Sequence, residues 1–510
     1  MSRLRAGGVG AVRGAARHLP APRPEWVFLA LYLALSALAV LSLPVGAGFD
    51  EATHLARVEQ LSDGVLVAPE LDRDAVDWQY TSDTGPGFAL YGAASDRALV
   101  VTALTNAASV HLSHDTYAFP NWVDAFREGA YGERQMVYAF SNTTVNSPVS
   151  YVPQVVGFSV ARALTSDVVL IADAARAAGV LFLAAVLFFC IRFAPVCRWP
   201  LAAIGLLPNT VLVNASVTAD TVTLAVCAAF LVGLLRALCA ESGRLPGATL
   251  GVVAFAGSLL GLVKLTYLPL VFLVLLLPVS RGRDERGRGL VFAVGVIAVC
   301  CALFALWYSR IGSINTGAIF KPGVDPDEQK ALVLGHPAHF ARLLLGLVPT
   351  TDFLQLSTFG VLAARGARLA PAWLLAAGLV LSLFATDARE VGSRLSHRVR
   401  WLVAGASIAE CAVVFVLVGT ALYLQFNVVG ADAIEGVQGR YFIPLLPMAA
   451  VCAWFFASRG VGRLSHREVV PWALVVLFAG QTLLCAIGSA RRSLRDRGTG
   501  LGCHAFFQKA

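Results

Sequence analysis

The sequence predicts an all-α polytopic membrane protein with about eleven transmembrane helices and a large extracytoplasmic first loop. Three observations predict it. Of 510 residues, 57% are hydrophobic and only 14% are charged, where soluble proteins carry about 25% charged residues. Mean hydropathy is +0.70. Apolar runs of bilayer-spanning length recur along the chain, and arginine-rich connections fall on alternate gaps between them.

The elements follow in order. Residues 1–25 are basic and rich in Gly, Ala and Pro, and Arg3, Arg5, Arg13, Arg17 and Arg23 place them on the cytoplasmic side. Residues 26–45 form the first span; the run is longer than a signal-peptide core, so a retained helix is expected. Residues 46–166 are an extracytoplasmic loop with juxtamembrane helices. Its 46–147 part holds fourteen acids against five arginines, the opposite of a cytoplasmic connection. Aromatics such as Trp78, Tyr80, Tyr91, Trp122 and Tyr138 mark it as an ordered subdomain. Within it, Leu55, Val58 and Leu61 share one stripe, while His54, Arg57 and Glu59 take polar positions. That pattern predicts a helix over 51–62 lying along the membrane surface. NSPVSYVPQVVGFSVARAL, broken by Pro148 and Pro153, suits an interfacial helix better than a span.

Residues 167–308 should hold six spans, at 168–191, 200–217, 221–238, 249–264, 267–279 and 290–307. Residues 309–370 return outside, with an amphipathic helix at 339–347. Residues 371–488 add spans at 371–386, 401–424, 442–457 and 469–487. The tail, 489–510, then falls outside although it contains RRSLRDRG. The net charge of +8 comes almost wholly from arginine on the inner connections, so it points to membrane topology and to no nucleic-acid partner. The ten cysteines lie mostly in apolar runs and show no CxxC spacing, which predicts core residues and no disulfide framework or zinc site. There is no Walker loop, no GxGxxG after a strand and no internal repeat.

This topology gathers ionisable residues at the outer face. Asp50, Glu51, His54 and Arg57 follow the first span, and Arg162 precedes the second. Asp220 sits at the next outer turn, Lys264 at another, and Arg440 with Tyr441 at the entrance to the tenth span. Each has a plain structural explanation: Asp50 or Asp220 as helix caps, Arg162 or Lys264 as snorkelling cations, Arg440 as a partner for Asp432 or Glu435. Together they suit group transfer from a lipid-linked phosphate. A surface carboxylate can act as general base on an acceptor hydroxyl or hold a divalent cation such as Mg or Mn. Arg440, Lys264, Arg162 and Tyr441 would hold the donor phosphate, with His54 and Asp220 at the acceptor or as a second acid. An outer-face enzyme has no nucleotide sugar at hand, so the expected donor is a polyprenyl-phosphate-linked sugar in the membrane lipid.

FDEATH after one span, then NSPVSYVPQVVG, NASVTADTVTLA, LVKLTYLPLV and GVQGRYFIPLLP in that order, resemble a large bacterial family of multi-pass membrane proteins of unknown function grouped with the GT-C glycosyltransferases. The resemblance covers nearly the whole chain. It implies a GT-C-like fold in the bacterial plasma membrane with its active face outside. It also implies Asp50 as base or metal ligand, Glu51 as its catalytic neighbour and second metal ligand if the reaction is metal-dependent, and Asp220 as a further acid. NSPVSYVP resembles the Pro-containing stretch of lipid-A aminoarabinose and mannosyl transferases, without the basic residue that those place before the prolines. The competing expectations are a transporter or flippase for a lipid-linked saccharide and a non-catalytic envelope-assembly protein. A transporter should carry ionisable groups in mid-span, and Glu410 is the acid that stands out there.

Overall fold

The computed structural model describes residues 22–80, 89–108, 126–240, 247–280, 282–314, 323–351 and 395–457, with 378, 382, 475 and 476. Expected spans at 371–386 and 469–487, and the 489–510 tail, lie essentially outside them. The chain opens with α1, Pro24–Ser42, and α2, Glu51–Ser62. Strand β1, Gly92–Asp96, runs into α3, Arg97–Ala108, and pairs antiparallel with β2, Gln135–Ala139, with Gly92 opposite Ala139 and Asp96 opposite Gln135. Next come α4, Val152–Arg162; α5, Val168–Phe193; α6, Arg198–Gly205; α7, Pro208–Asn214; α8, Asp220–Leu238; and α9, Gly247–Leu259. The described remainder holds α10, Arg283–Ile311; α11, Pro326–Gly335; α12, Pro337–Thr350; α13, His397–Gln425; and α14, Leu446–Ala457.

Five described helices, α1, α5, α8, α10 and α13, are long and apolar enough to cross a bilayer, and the pair α11–α12, bent by 105°, would make a sixth. Other expected spans take different forms. The 200–217 run is two short helices, because Pro208 disfavours helix at Leu207 and restarts it at its own position. Nearly every side chain in those two helices is buried. The 249–264 run is helical only to Leu259, and 267–279 is mostly a 3-10 helix, Leu265–Leu275, containing Pro269. Proline's missing N–H breaks the α ladder there. The eight described cysteines are buried or half-buried.

Three large clusters build most of the core among the described residues. Phe28, Tyr32, Leu183 and Ala202 join α1, α5 and α6. Phe230, Val253, Tyr267 and Phe442 join α8 to the elements after it. Leu55, Val58, Tyr151, Phe158 and Val169 seat α2 on α4 and α5. Helix α2 has the expected bounds but not the expected setting. Every residue from Glu51 to Leu61 is buried, so its polar side faces protein rather than water. β1, β2 and α3 cover it, with Val100, Met136 and Phe140 packing on Ala56.

Candidate functional site

The turn between α1 and α2 sets the site. Gly46 has φ +91°, and a Cβ there would meet the Ala103 carbonyl oxygen at 2.0 Å; at Gly48 it would meet Ser216 Cβ at 2.4 Å. Only glycine fits such approaches. Asp50, the residue before α2, is left-handed at φ 55°, and its side chain makes no cap hydrogen bond. A non-glycine residue in this region carries strain, which clusters at functional sites. The turn leaves the Asp50 side chain exposed and the Glu51 side chain buried.

Glu51 faces inward. It and Arg176 of α5 are both fully buried. Arg176 Nε donates to Glu51 Oε1 at 2.7 Å and Nη2 to Oε2 at 2.6 Å. The guanidinium also donates to Asp173 at 3.0 Å and to the carbonyls of Leu43 and Pro44 at 2.8 and 2.9 Å. The N–H groups of Gly46, Gly48 and Val217 donate to the Glu51 carboxylate at 3.1, 3.0 and 2.9 Å. Burial alone would raise the Glu51 pKa; the charge and bonds of Arg176 and these amides outweigh it and hold the carboxyl below its ordinary value. This is a brace binding the turn, α5 and the loop before α8.

Asp50 faces outward, and its side chain is 41% exposed. Arg440, in the 3-10 turn Gly439–Leu445, donates from Nη2 to Asp50 Oδ2 at 3.1 Å while only 5% exposed itself. Its Nη1 lies 3.8 Å from Asp220 Oδ2. Its guanidinium stacks over Phe49 at 4.8 Å and Tyr441 at 5.3 Å, and Nη2 donates to the Tyr441 hydroxyl at 3.4 Å. Lys264 ion-pairs with Asp220 and lies over the Tyr441 ring at 5.5 Å. Tyr267 donates to the Tyr441 carbonyl at 2.8 Å and so holds this turn in place. Asp220 occupies the first turn of α8, whose cap is Ala219, so its carboxylate serves the cations rather than the helix end.

One turn along α2 from Asp50, His54 is buried, and the Tyr151 hydroxyl lies 2.7 Å from its Nδ1. Burial chiefly pushes the His54 pKa down to about 4, with the charges of Asp50, Lys264, Asp220 and Arg440 around it, so the ring is neutral at physiological pH. A further turn on, Arg57 is also buried. It donates to Gln60, and to the Leu66 and Asn146 carbonyls at 2.7 and 3.4 Å. Burial pushes its pKa down to about 10.

Six expected residues therefore meet: Asp50, His54, Asp220, Lys264, Arg440 and Tyr441. Two do not join them. Glu51 lies behind the turn. Arg162 bonds Asp63 at 2.6 Å and the Ser62 carbonyl at 3.0 Å, at the far end of α2, about 20 Å from Asp50 at 1.5 Å per residue. Sequence reasoning missed Asp173, Arg176, Asn146 and Tyr151. An Asp and an Arg three apart in the apolar run LIADAARAAG was the available signal for the first two. The cluster suits a divalent cation poorly. Its two carboxylates already face Lys264 and Arg440, and the described residues hold no group of three or more His, Cys, Asp or Glu placed to bind a metal.

Fold and site together define a helical membrane protein with a charged cluster where the turn before α2 meets α8 and the 3-10 turn Gly439–Leu445. A family model described as a predicted membrane protein (DUF2142) matches residues 33–449, and the chain belongs to that family. No curated protein and no solved structure matches it.

Proposed function

We propose that the protein is a GT-C-like glycosyltransferase of the bacterial plasma membrane, moving a sugar from a polyprenyl-phosphate donor to a cell-envelope glycan or lipid at the outer face. One observation carries this reading: buried Arg440 meets the exposed Asp50 carboxylate beside the Asp220–Lys264 pair. The four charges sum to zero. An arriving phosphate ester takes the Arg440 edge that Asp50 holds, and Asp50 turns to the acceptor. The acceptor oxygen attacks the anomeric carbon, its proton passes to Asp50, and the bond from that carbon to the phosphate oxygen breaks. Polyprenyl phosphate leaves with the electron pair, its charge met by Arg440 and Lys264. Glu51 acts through the turn, holding Asp50 in place. The roles expected of Glu51 and Arg162 at the reacting groups have no support from their positions.

The test is transfer from a radiolabelled polyprenyl-phosphate sugar in proteoliposomes. Wild type should transfer, and Asp50→Asn should lose about 10²–10⁴-fold while folding normally. Near-normal transfer by Asp50→Asn would end the catalytic assignment. A saccharide transporter is the second reading. It is favoured by Glu410 in α13, whose Oε2 is buried and has no hydrogen-bond partner among the described residues.

A further inference from the structure

The hydrogen bonds behind His54 determine where its proton sits. Asn146 Nδ2 lies 3.3 Å from the Thr143 carbonyl, which can only accept, so the amide nitrogen must be the atom on that side. The same nitrogen lies 3.2 Å from the Tyr151 hydroxyl and therefore donates to it. Tyr151 is fully buried, and a buried hydroxyl proton needs an acceptor. Among the described residues its hydroxyl meets one other group, His54 Nδ1, at 2.7 Å. Tyr151 therefore donates to Nδ1, and a neutral imidazole so bonded carries its own proton on Nε2. Nε2 has no bond to any described residue, and the charged groups around the ring are Asp50, Lys264, Asp220 and Arg440.

We propose that His54 is a fixed neutral hydrogen-bond donor to an anionic phosphate oxygen, its proton held on Nε2 by Tyr151 and Asn146. The identity of the ligand rests on the transferase reading; the position of the proton does not. An ordinary buried histidine can take either tautomer. This one is committed by two side chains outside the site, which makes Asn146 and Tyr151 positioning residues. It also separates His54 from the carboxylates: it cannot take the acceptor's proton while its Nδ1 is occupied and its Nε2 protonated.

The test is ¹⁵N NMR of histidine-labelled full-length protein in nanodiscs, with the His54 signal assigned by its loss in His54→Gln. Wild type should show a protonated Nε2 and an unprotonated Nδ1 from about pH 5.5 to about pH 8. Asn146→Asp puts an acceptor where the amide donor was. The Tyr151 proton should turn to it and His54 should flip to the Nδ1–H form. Tyr151→Phe should release the ring to a mixture of tautomers. Binding of a short isoprenyl monophosphate should weaken about tenfold in Asn146→Asp, the cost of one hydrogen bond to a charged group. A wild-type ring protonated on Nδ1 overturns the proposal, as does an Asn146→Asp ring still protonated on Nε2. A wild-type Nε2–H ring in protein that binds no isoprenyl phosphate sinks the transferase reading and leaves the proton where we place it.

Discussion

Asp50 and Glu51 are neighbours in sequence, each meets an arginine from a distant part of the chain, and their environments differ in almost everything else. Glu51 and Arg176 share two short bonds, are fully buried and have their remaining polar atoms largely matched by main-chain groups. Asp50 and Arg440 share one bond at 3.1 Å, and the Asp50 side chain is 41% exposed. A buried, saturated pair resists substitution of either partner, because the survivor is left as an uncompensated charge. An open pair with one contact can be exchanged for a ligand. The same kind of pair thus stands once as a buried brace and once as an open contact, and burial separates the two.

The largest expected effect tests the brace. Arg176→Leu should cost about 3–5 kcal/mol of stability, seen as a lowered unfolding midpoint or lost folded yield in detergent. Glu51→Gln should follow the same direction. A well-folded Arg176→Leu protein would erase the distinction between the two pairs. Next is Asp50→Asn, which should leave the unfolding midpoint within the range of a surface change, about 0.5 kcal/mol, while transfer collapses. Smaller again is Arg440→Lys. It keeps the charge but loses the planar fork, and isoprenyl-phosphate affinity should fall about tenfold; unchanged affinity would remove Arg440 from the donor site.

The smallest effect sharpens the comparison with a third acid on α2. Glu59 is buried and makes no ion pair among the described residues, accepting from the Asp96 N–H at 3.0 Å and the Tyr131 hydroxyl at 2.9 Å. Burial pushes its pKa from 4.5 up to about 7, opposite in direction to Glu51. A raised folded pKa favours the protonated form. Its stability contribution is full below about pH 4.5 and is lost as pH rises through about 7. Wild type should therefore lose stability relative to Glu59→Gln across that window, measured by thermal unfolding. A constant difference from pH 4.5 to 7 would place the proton elsewhere.

Much of this was legible in the sequence. Periodicity located α2 to the residue, and the alternation of arginines brought Asp50, Asp220, Lys264 and Arg440 to one face. Three things were not legible. Pairings such as Glu51 with Arg176, 125 residues apart, leave no local trace, and an arginine in an apolar run reads as a cost until its partner is seen. The burial of α2's polar face was not legible because periodicity reports which side is polar and not what covers it; β1, β2 and α3 cover it. Length alone read 200–217 as one span, where Pro208 makes two short helices. Sidedness rests on charge counting alone. An Asp74→Cys substitution in the exposed part of the first loop should react with an impermeant thiol reagent in intact cells, and protection until lysis would invert the scheme.

The left-handed backbone at Asp50 narrows what can stand there. Of the residues that accept φ 55° readily, Gly, Asn and Asp lead, and only Asp carries charge. Replacing Asp with Glu, ordinarily mild, is disfavoured here by the main chain as well. Changes to Asn or Gly are open, and each is one base away from an Asp codon. Lineages of this chain thus lie a single nucleotide from a folded protein that has lost the carboxylate. The same architecture can persist with that carboxylate or without it.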